Sequence, residues 1–193
     1  MKTENVVLMR MARESLQGKW GLAVGTFLVY ILINVGMNAP TSYFPPYGLI
    51  SLIISGPMSL GVAGFALSIS RNGDARLEQI FDGFYRFSIA LKTYLLMILF
   101  ILLWAILLII PGIIAALSYS MTFYILADNE SIGAMEALEK SKAMMYGYKW
   151  KFFCLNLRFL LWSLLCILTL GIGFLWLIPW MNVSIAKFYD DIK

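Results

Sequence analysis

Apolar residues occur along this chain in long uncharged stretches that shorter charged segments separate. Residues 20–38 and 49–70 contain no charged residue. Each can cross a bilayer core of about 30 Å as a helix that rises about 1.5 Å per residue. Two longer uncharged stretches follow, from Thr93 to Ala127 and from Phe159 to Ala186. Because each of these is longer than one crossing needs, the pattern predicts two spans in each and six in all.

Helix-breaking residues lie near the centres of the two longer stretches. Pro111 and Gly112 halve the first, which predicts two helices of about seventeen residues that meet at a tight turn. In the second, "TLGIGF" at 169–174 places Gly171 and Gly173 at the centre. The segment 39–48, "APTSYFPPYG", predicts an interfacial loop between the first two spans. The predicted hairpins are 20–70, 92–127 and 152–188, with a re-entrant break as the alternative to an outer turn.

Basic residues are confined to one side of this arrangement. The predicted outer turns at 39–48, 110–113 and 169–174 carry no charge, whereas every segment on the other side carries lysine or arginine. Such a bias places the basic side, and with it both termini, in the cytoplasm. The basic residues on this side are Lys2, Arg10, Arg13, Lys19, Arg71, Arg76, Arg86, Lys92, Lys140, Lys142, Lys149, Lys151, Lys187 and Lys193, and Arg158 lies within a predicted span.

Three cytoplasmic segments, 3–19, 74–89 and 131–148, have an amphipathic helical pattern. In the second, Asp74 is the expected N-cap of an apolar face formed by Leu77, Ile80, Phe81, Phe84 and Phe87. In the third, Ala134, Ala137, Leu138, Met145 and Tyr148 share a face opposite Glu136 and Glu139. These helices either lie in the headgroup layer or pack under the bundle as connecting elbows. Together the elements predict an all-α integral membrane protein, 1–193, as one membrane domain of six helices in three hairpins, with an internal repeat of the hairpin unit as a further hypothesis.

Composition agrees with this class and narrows the chemistry. Hydrophobic residues make up 61% of the 193 residues and charged residues 13%, and the mean hydropathy is +0.80. The first twenty residues lack the pattern of a cleaved secretory signal. Histidine is absent and the two cysteines, Cys154 and Cys166, lie in one apolar stretch. We therefore expect no metal, no cofactor and no catalytic site, and the net charge of +4 is too dispersed to predict nucleic-acid binding.

Small residues recur at every fourth position in two predicted spans. Ser51, Ser55, Ser59 and Ala63 do so in the second span, and Gly112, Ala116 and Ser120 do so in the fourth. This spacing lets helix backbones approach closely in lipid. The faces predict helix packing either within one chain or between subunits, with a homo-oligomer or another membrane protein as the partner.

Polar residues within the predicted spans suggest two candidate sites. Arg158 either extends to lipid phosphates at the interface or belongs to an internal polar site. Ser118, Ser120 and Thr122 in the fourth span, with Asn182 and Ser184 in the sixth, form a candidate polar seam. The alternative for the seam is that each side chain bonds to its own helix backbone. No acidic residue lies within a predicted span, which argues against transport coupled to a buried carboxylate.

Two segments of this chain resemble a known family. They are "IIPGIIAALSYSMTFYILADNESIGAMEALEKSKAMMYGYKWKFFCLNL" and "LTLGIGFLWLIPWMNVSIAKFYDD", which are similar to the bacterial integral-membrane family called domain of unknown function 975. The likeness covers 75–190 well and the first hairpin loosely. Where some family members have an arginine before the Tyr-Ser pair, this chain has Ser118. The resemblance implies a bacterial cytoplasmic-membrane protein with no established activity.

The expected function is non-catalytic binding of membrane lipids, including anionic headgroups, or of a membrane partner. One-sided charge, interfacial helices and small-residue faces favour this interpretation. A small transporter, channel or lipid scramblase that uses the polar seam is the alternative.

Overall fold

The computed structural model describes residues 3–38 and 46–193, and every regular element in that part of the chain is a helix. One element, between α3 and α4, is a 3₁₀ helix that covers Leu77–Phe84. The α-helices are α1 (Asn5–Ser15), α2 (Trp20–Asn38), α3 (Pro46–Ser70), α4 (Phe87–Leu107), α5 (Ile109–Tyr119), α6 (Thr122–Asp128), α7 (Ala134–Met144), α8 (Lys149–Leu168) and α9 (Phe174–Ile192). The predicted loop at 39–48 lies mostly outside the described residues.

Four segments of the described chain are long and apolar enough to cross a membrane. They are Ile50–Ser70 in α3, Phe87–Leu107 (α4), Ile109–Asp128 (α5 with α6) and Lys149–Leu168 (α8). A fifth is added if α1 and α2, which meet at an angle of 100°, form one broken span. These are the helices of a membrane protein, but their lengths do not establish the six crossings or the repeated hairpins that the sequence predicts.

The main core lies where α3, α6, α8 and α9 meet, and α9 also contacts α1 and α2. Aromatic rings fill much of it. Tyr124 of α6 stacks on Tyr189 of α9, with ring centroids 5.9 Å apart, and Phe152 of α8 lies 5.1 Å from Phe188 of α9. Because α9 touches helices from both halves of the sequence, the C-terminal helix organises the bundle.

The turn between α4 and α5 is the single residue Leu108, which has an extended backbone (φ −160°, ψ 143°). The predicted turn at Pro111 and Gly112 is wrong by three residues, since both lie in the first turn of α5. Proline is tolerated there because the first N–H groups of a helix lack intrahelical partners. Gly112 permits close packing, because a Cβ at this position would lie 2.8 Å from Ala105 Cα of α4.

The turn between α8 and α9 covers residues 169–173 and uses both of its glycines. Gly171 has a φ of +87°, a conformation that side chains disfavour. The Gly173 N–H donates to Thr169 Oγ1 at 3.0 Å, and a Cβ on Gly173 would lie 2.7 Å from Cys166 Sγ. The two glycines therefore serve different purposes, one for backbone conformation and one for space.

The segment after α3 forms a 3₁₀ helix, where the sequence predicts an α-helix capped by Asp74. The observed N-cap is Arg76, and the Asp74 carbonyl instead accepts a hydrogen bond from Gln79 Nε2 at 3.0 Å. A 3₁₀ helix repeats every three residues, which splits the predicted apolar face in two. Leu77, Ile80 and Gly83 form one row, with Ile80 and Gly83 buried. Exposed Phe81 and Phe84 form the other, and exposed Phe87 follows at the start of α4.

Glycines make the close contact between this 3₁₀ helix and α3. A Cβ on Gly61 of α3 would lie 2.0 Å from the Ile80 carbonyl oxygen, and one on Gly83 would lie 1.9 Å from the Pro57 carbonyl oxygen. The backbones therefore touch directly at two places. The charged 3₁₀ segment consequently runs beside the middle of α3.

The predicted small-residue faces contain both a close contact, at Gly112, and serines that bond to their own helix. The Ser55 and Ser59 hydroxyls donate to carbonyls of their own helix, those of Ser51 and Ser55, at 2.7 Å each. Ala63 is buried, but Ala116 is exposed. A hydroxyl occupies space and can bond its own backbone, whereas glycine does neither, which is why glycines mark the closest approaches.

The amphipathic helix α7 packs one face against α4, α5 and α6. Ala137 and Leu138 on this face are buried, and Ser141 Oγ donates to the Ser118 carbonyl at 2.8 Å. Glu136 and Glu139 on the other face are exposed. Charged side chains therefore lie alongside the α4–α5 pair.

We predict that Gly61→Ala destabilises the protein, because its Cβ meets backbone that cannot move independently. Overpacking of this kind costs about 1–3 kcal/mol, which corresponds to a fall in Tm of about 2–12 °C for a chain of this size. Thermal unfolding of the purified protein in detergent measures the effect. Gly64→Ala is the matched control on the same helix, since its Cβ would only reach ordinary contact with Ala127 Cβ at 4.0 Å. Equal Tm values for the two variants would contradict the packing argument.

Candidate functional site

The N-terminal helix α1 is held to the last helix of the chain by polar contacts at its start. The Thr3 N–H and hydroxyl both donate to Asp191 Oδ1, at 3.1 and 2.6 Å. Lys151 of α8 pairs with Asp191 at 2.8 Å, and Asn5 Nδ2 donates to the Lys151 carbonyl at 2.8 Å. Burial alone would raise the pKa of Asp191, but the hydrogen bonds from Lys151 and Thr3 outweigh it and lower the pKa. The carboxylate therefore stays ionised and ties α1, α8 and α9 together.

A tryptophan on α9 fixes the middle of α1. Trp180 Nε1 donates to the Met9 carbonyl at 2.8 Å. The same indole packs edge-on against Phe159 and Trp162 of α8, with ring centroids 5.3 and 5.8 Å away. Trp180 thus sets the distance between α1 and α8.

A groove of about 570 Å³ lies between α1 and α8, over Trp180. Three of its lining residues are arginines, Arg10, Arg13 and Arg158, and no acidic residue lines it. The other lining residues are apolar, namely Val6, Met9, Leu161, Trp162, Leu165 and Trp180. We call this feature the arginine groove.

The arginines of the groove are poorly neutralised. Arg10 makes one long contact with Glu14, at 3.9 Å, between two largely exposed side chains, and such pairs are weak. Within the described part of the chain, neither Arg13 nor Arg158 has an ion pair. All three side chains are exposed. The groove is therefore a positively charged surface whose guanidinium groups have few acidic partners.

The sequence singled out Arg158 but not its neighbours. Arg158 was expected to reach the interface or to join an internal site, and it lies on the exposed side of α8 next to Arg10 and Arg13. The two α1 arginines are three residues apart, which places them on one face of a helix. That spacing predicts a basic face on α1, but the sequence alone does not indicate which helix this face contacts.

The candidate polar seam has its hydrogen bonds satisfied locally. Ser118, Ser120 and Thr122 donate to carbonyls three or four residues earlier, at 2.7–2.8 Å. Asn182 and Ser184 do the same on α9, at 2.9 and 2.7 Å. Each group thus bonds to its own helix backbone, which is the alternative interpretation of the sequence pattern. Arg158 lines the separate arginine groove.

A second charged cluster joins the ends of α3, α6 and α9. Arg71 donates to Asp128 at 2.6 Å and to Asp190 at 2.7 Å, and these bonds, that to Asp128 first, raise the pKa of Arg71. Lys193 also pairs with Asp128, and the Tyr189 hydroxyl donates to it at 3.0 Å. The charges here neutralise one another, so this cluster stabilises the fold and leaves little to attract a ligand.

A cavity of about 750 Å³ adjoins this cluster beside the 3₁₀ helix. It is lined by Arg71 and Arg86 but also by Asp82 and Glu130. Because both signs of charge are present, this cavity favours neither anions nor cations. The arginine groove is therefore the better candidate for selective binding.

We predict that Trp180→Phe loosens α1 while largely preserving the aromatic packing. The variant loses one hydrogen bond, worth about 0.5–1.5 kcal/mol, and Tm falls by about 1–6 °C. Limited trypsin digestion checks the location, since cleavage after Arg10 and Arg13 should become faster. Trp162→Phe is the control, because the Trp162 indole N–H donates to no described residue. Unchanged cleavage in Trp180→Phe would show that the bond to Met9 does not hold α1.

Comparison with known proteins gives a family and no activity. The family model described as "Protein of unknown function (DUF975)" matches residues 1–116 and 105–193. No curated protein and no solved structure matches the chain. The two matched ranges together cover the whole sequence, including the first predicted hairpin, 20–70. The chain therefore belongs to the DUF975 family of proteins of unknown function.

Proposed function

We propose that this protein is a non-catalytic, multi-pass protein of the bacterial cytoplasmic membrane that binds anionic phospholipid headgroups in the arginine groove. The observation that carries the proposal is the convergence of Arg10, Arg13 and Arg158 on one groove that no acidic residue lines. The one-sided distribution of basic residues supports a location of both termini in the cytoplasm. The proposal does not depend on the number of crossings.

The charge of the groove suits a phosphate group. A guanidinium presents several N–H donors in a plane and forms paired hydrogen bonds with phosphate oxygens. The arginines come from two helices that Trp180 holds at a fixed distance. Because these helices are already positioned, less conformational entropy is lost when a ligand binds. Anionic lipids provide phosphates at high local concentration along the cytoplasmic surface of a membrane.

The apolar part of the groove suits the rest of a lipid. Leu161, Trp162 and Leu165 continue from the arginines along α8. Neighbouring leucines on that helix are also exposed, with Leu160, Leu164 and Leu168 at 55%, 55% and 79%. A headgroup at the arginines would therefore have its acyl chains beside an apolar helix surface. A free phosphate could use only the charged end.

Transport or scrambling through the polar seam has less support. Its five hydroxyl and amide groups already have hydrogen-bond partners on their own helices. Association with a second copy or another membrane protein fits the many exposed apolar side chains, but no contact in the described chain favours one partner. The proposal therefore rests on the groove alone.

The test is a lipid titration of the purified protein in a neutral detergent. Adding phosphatidylglycerol should raise Tm, by about 5–10 °C when the lipid is at a hundred times its Kd. Phosphatidylcholine should have little effect. The triple variant Arg10→Gln, Arg13→Gln, Arg158→Gln should lose most of the phosphatidylglycerol shift, and added salt should reduce the shift in the unaltered protein.

The control is a second triple variant, Arg76→Gln, Lys92→Gln, Lys140→Gln, which removes the same net charge from exposed positions outside the groove. It should keep the shift. Equal loss in both variants would mean that net charge and not the groove attracts the lipid. An equal response to inorganic phosphate and to phosphatidylglycerol would reduce the site to an anion site without lipid preference.

A further inference from the structure

The α4–α5 hairpin ends in an apolar tip, and charged residues packed against the hairpin limit how deeply this tip can enter a membrane. Five consecutive residues at the tip, 106–110, are 64–82% exposed. They are Ile106, Leu107, Leu108, Ile109 and Ile110, with no polar side chain among them. Such a surface is unfavourable in water and needs a cover of lipid or protein.

Two lysines line a cavity beside this hairpin. A cavity of only about 170 Å³ is lined by Trp104 and Pro111 of the hairpin and by Lys142 and Lys149, which come from α7 and the start of α8. The lining of this cavity runs along α5 from Pro111 to Tyr119, about 12 Å of helix, and a lysine side chain added to it still falls well short of the about 30 Å of a bilayer core. Pro111 and these lysines therefore cannot lie at opposite faces of a membrane.

The packing of α7 against the hairpin also limits how deeply the tip can enter the membrane. Leu138 of α7 is buried in one cluster with Ala115, Tyr119 and Phe100 of the hairpin, while Glu136 and Glu139 on the opposite face of α7 are exposed. Charged side chains are costly in hydrocarbon, so α7 belongs in the headgroup layer. From Phe100 to Leu108 is eight residues, or about 12 Å of helix. The tip then reaches less than halfway through the core.

We propose that α4 and α5 form a re-entrant hairpin that enters and leaves the membrane at the face occupied by α7. Its tip, 106–110, lies among the acyl chains of that single leaflet. Basic residues on α7 and at the start of α8 meet the headgroups of the same leaflet, and the positive-inside pattern assigns this leaflet to the cytoplasmic side. This position replaces the outer-face turn that the charge pattern alone predicts at 110–113. It does not depend on lipid binding in the arginine groove.

The experiment places single cysteines in the full chain after Cys154→Ala and Cys166→Ala. Ile109→Cys reports the tip, and Ala143→Cys on the exposed face of α7 reports the headgroup level. Each is labelled with a fluorophore and reconstituted in phosphatidylcholine–phosphatidylglycerol vesicles that contain lipids with a quencher at the headgroup or near the end of the acyl chain. Ile110→Cys repeats the tip measurement, so that failure of one variant to fold does not decide the result.

A re-entrant hairpin predicts strongest quenching of the tip by the acyl-chain quencher and strongest quenching of position 143 by the headgroup quencher. In intact cells, Ile109→Cys should not react with a membrane-impermeant maleimide, although it should react after detergent solubilisation. Reaction from outside the cell, or stronger quenching of the tip by the headgroup quencher, would overturn the proposal and restore an outer turn. Quenching by neither lipid would also overturn it, because protein and not lipid would then cover the tip.

Discussion

Charged side chains cannot lie in hydrocarbon without a partner, and this constraint governs how far each helix of this protein can enter a membrane. Lysines line a cavity beside the α4–α5 hairpin. Arginines of α1 share a groove with Arg158 in the middle of α8, and acidic residues of the 3₁₀ helix lie beside the middle of α3. Helix length and hydropathy measure what a segment can cross. The charged elements packed against a segment determine how much of its length can lie in hydrocarbon.

Close backbone contact makes these neighbouring charged elements possible. The 3₁₀ helix touches α3 at Gly61 and Gly83, where no side chain separates the backbones. The Asp128–Arg71–Asp190 cluster then joins the ends of α6, α3 and α9. Packing in the apolar part and ion pairing at its edge thus hold elements that a simple row of hairpins would keep apart.

The sequence predicted the helical class, the long apolar helices and the glycine turn after α8, because each depends on residues close together in the chain. It misplaced the α4–α5 turn, since Pro111 is compatible both with a turn and with the start of a helix. It missed the 3₁₀ helix because apolar residues at three-residue spacing also fit an α-helix over two turns. The sequence could not predict the arginine groove, since Arg13 and Arg158 come to line one groove only through packing of α1 against α8 and α9.

The contacts that position α1 join residues very far apart in sequence. Thr3 and Asp191 are separated by 188 positions, and Met9 and Trp180 by 171. A ribosome produces α1 long before α9, so α1 can pack early against Phe27 of α2 and Phe65 of α3 but has no contact with α9 until that helix has been made. Contacts of such separation form late and slowly. The groove therefore cannot be complete before α9 has been synthesised, because Trp180 forms part of its lining.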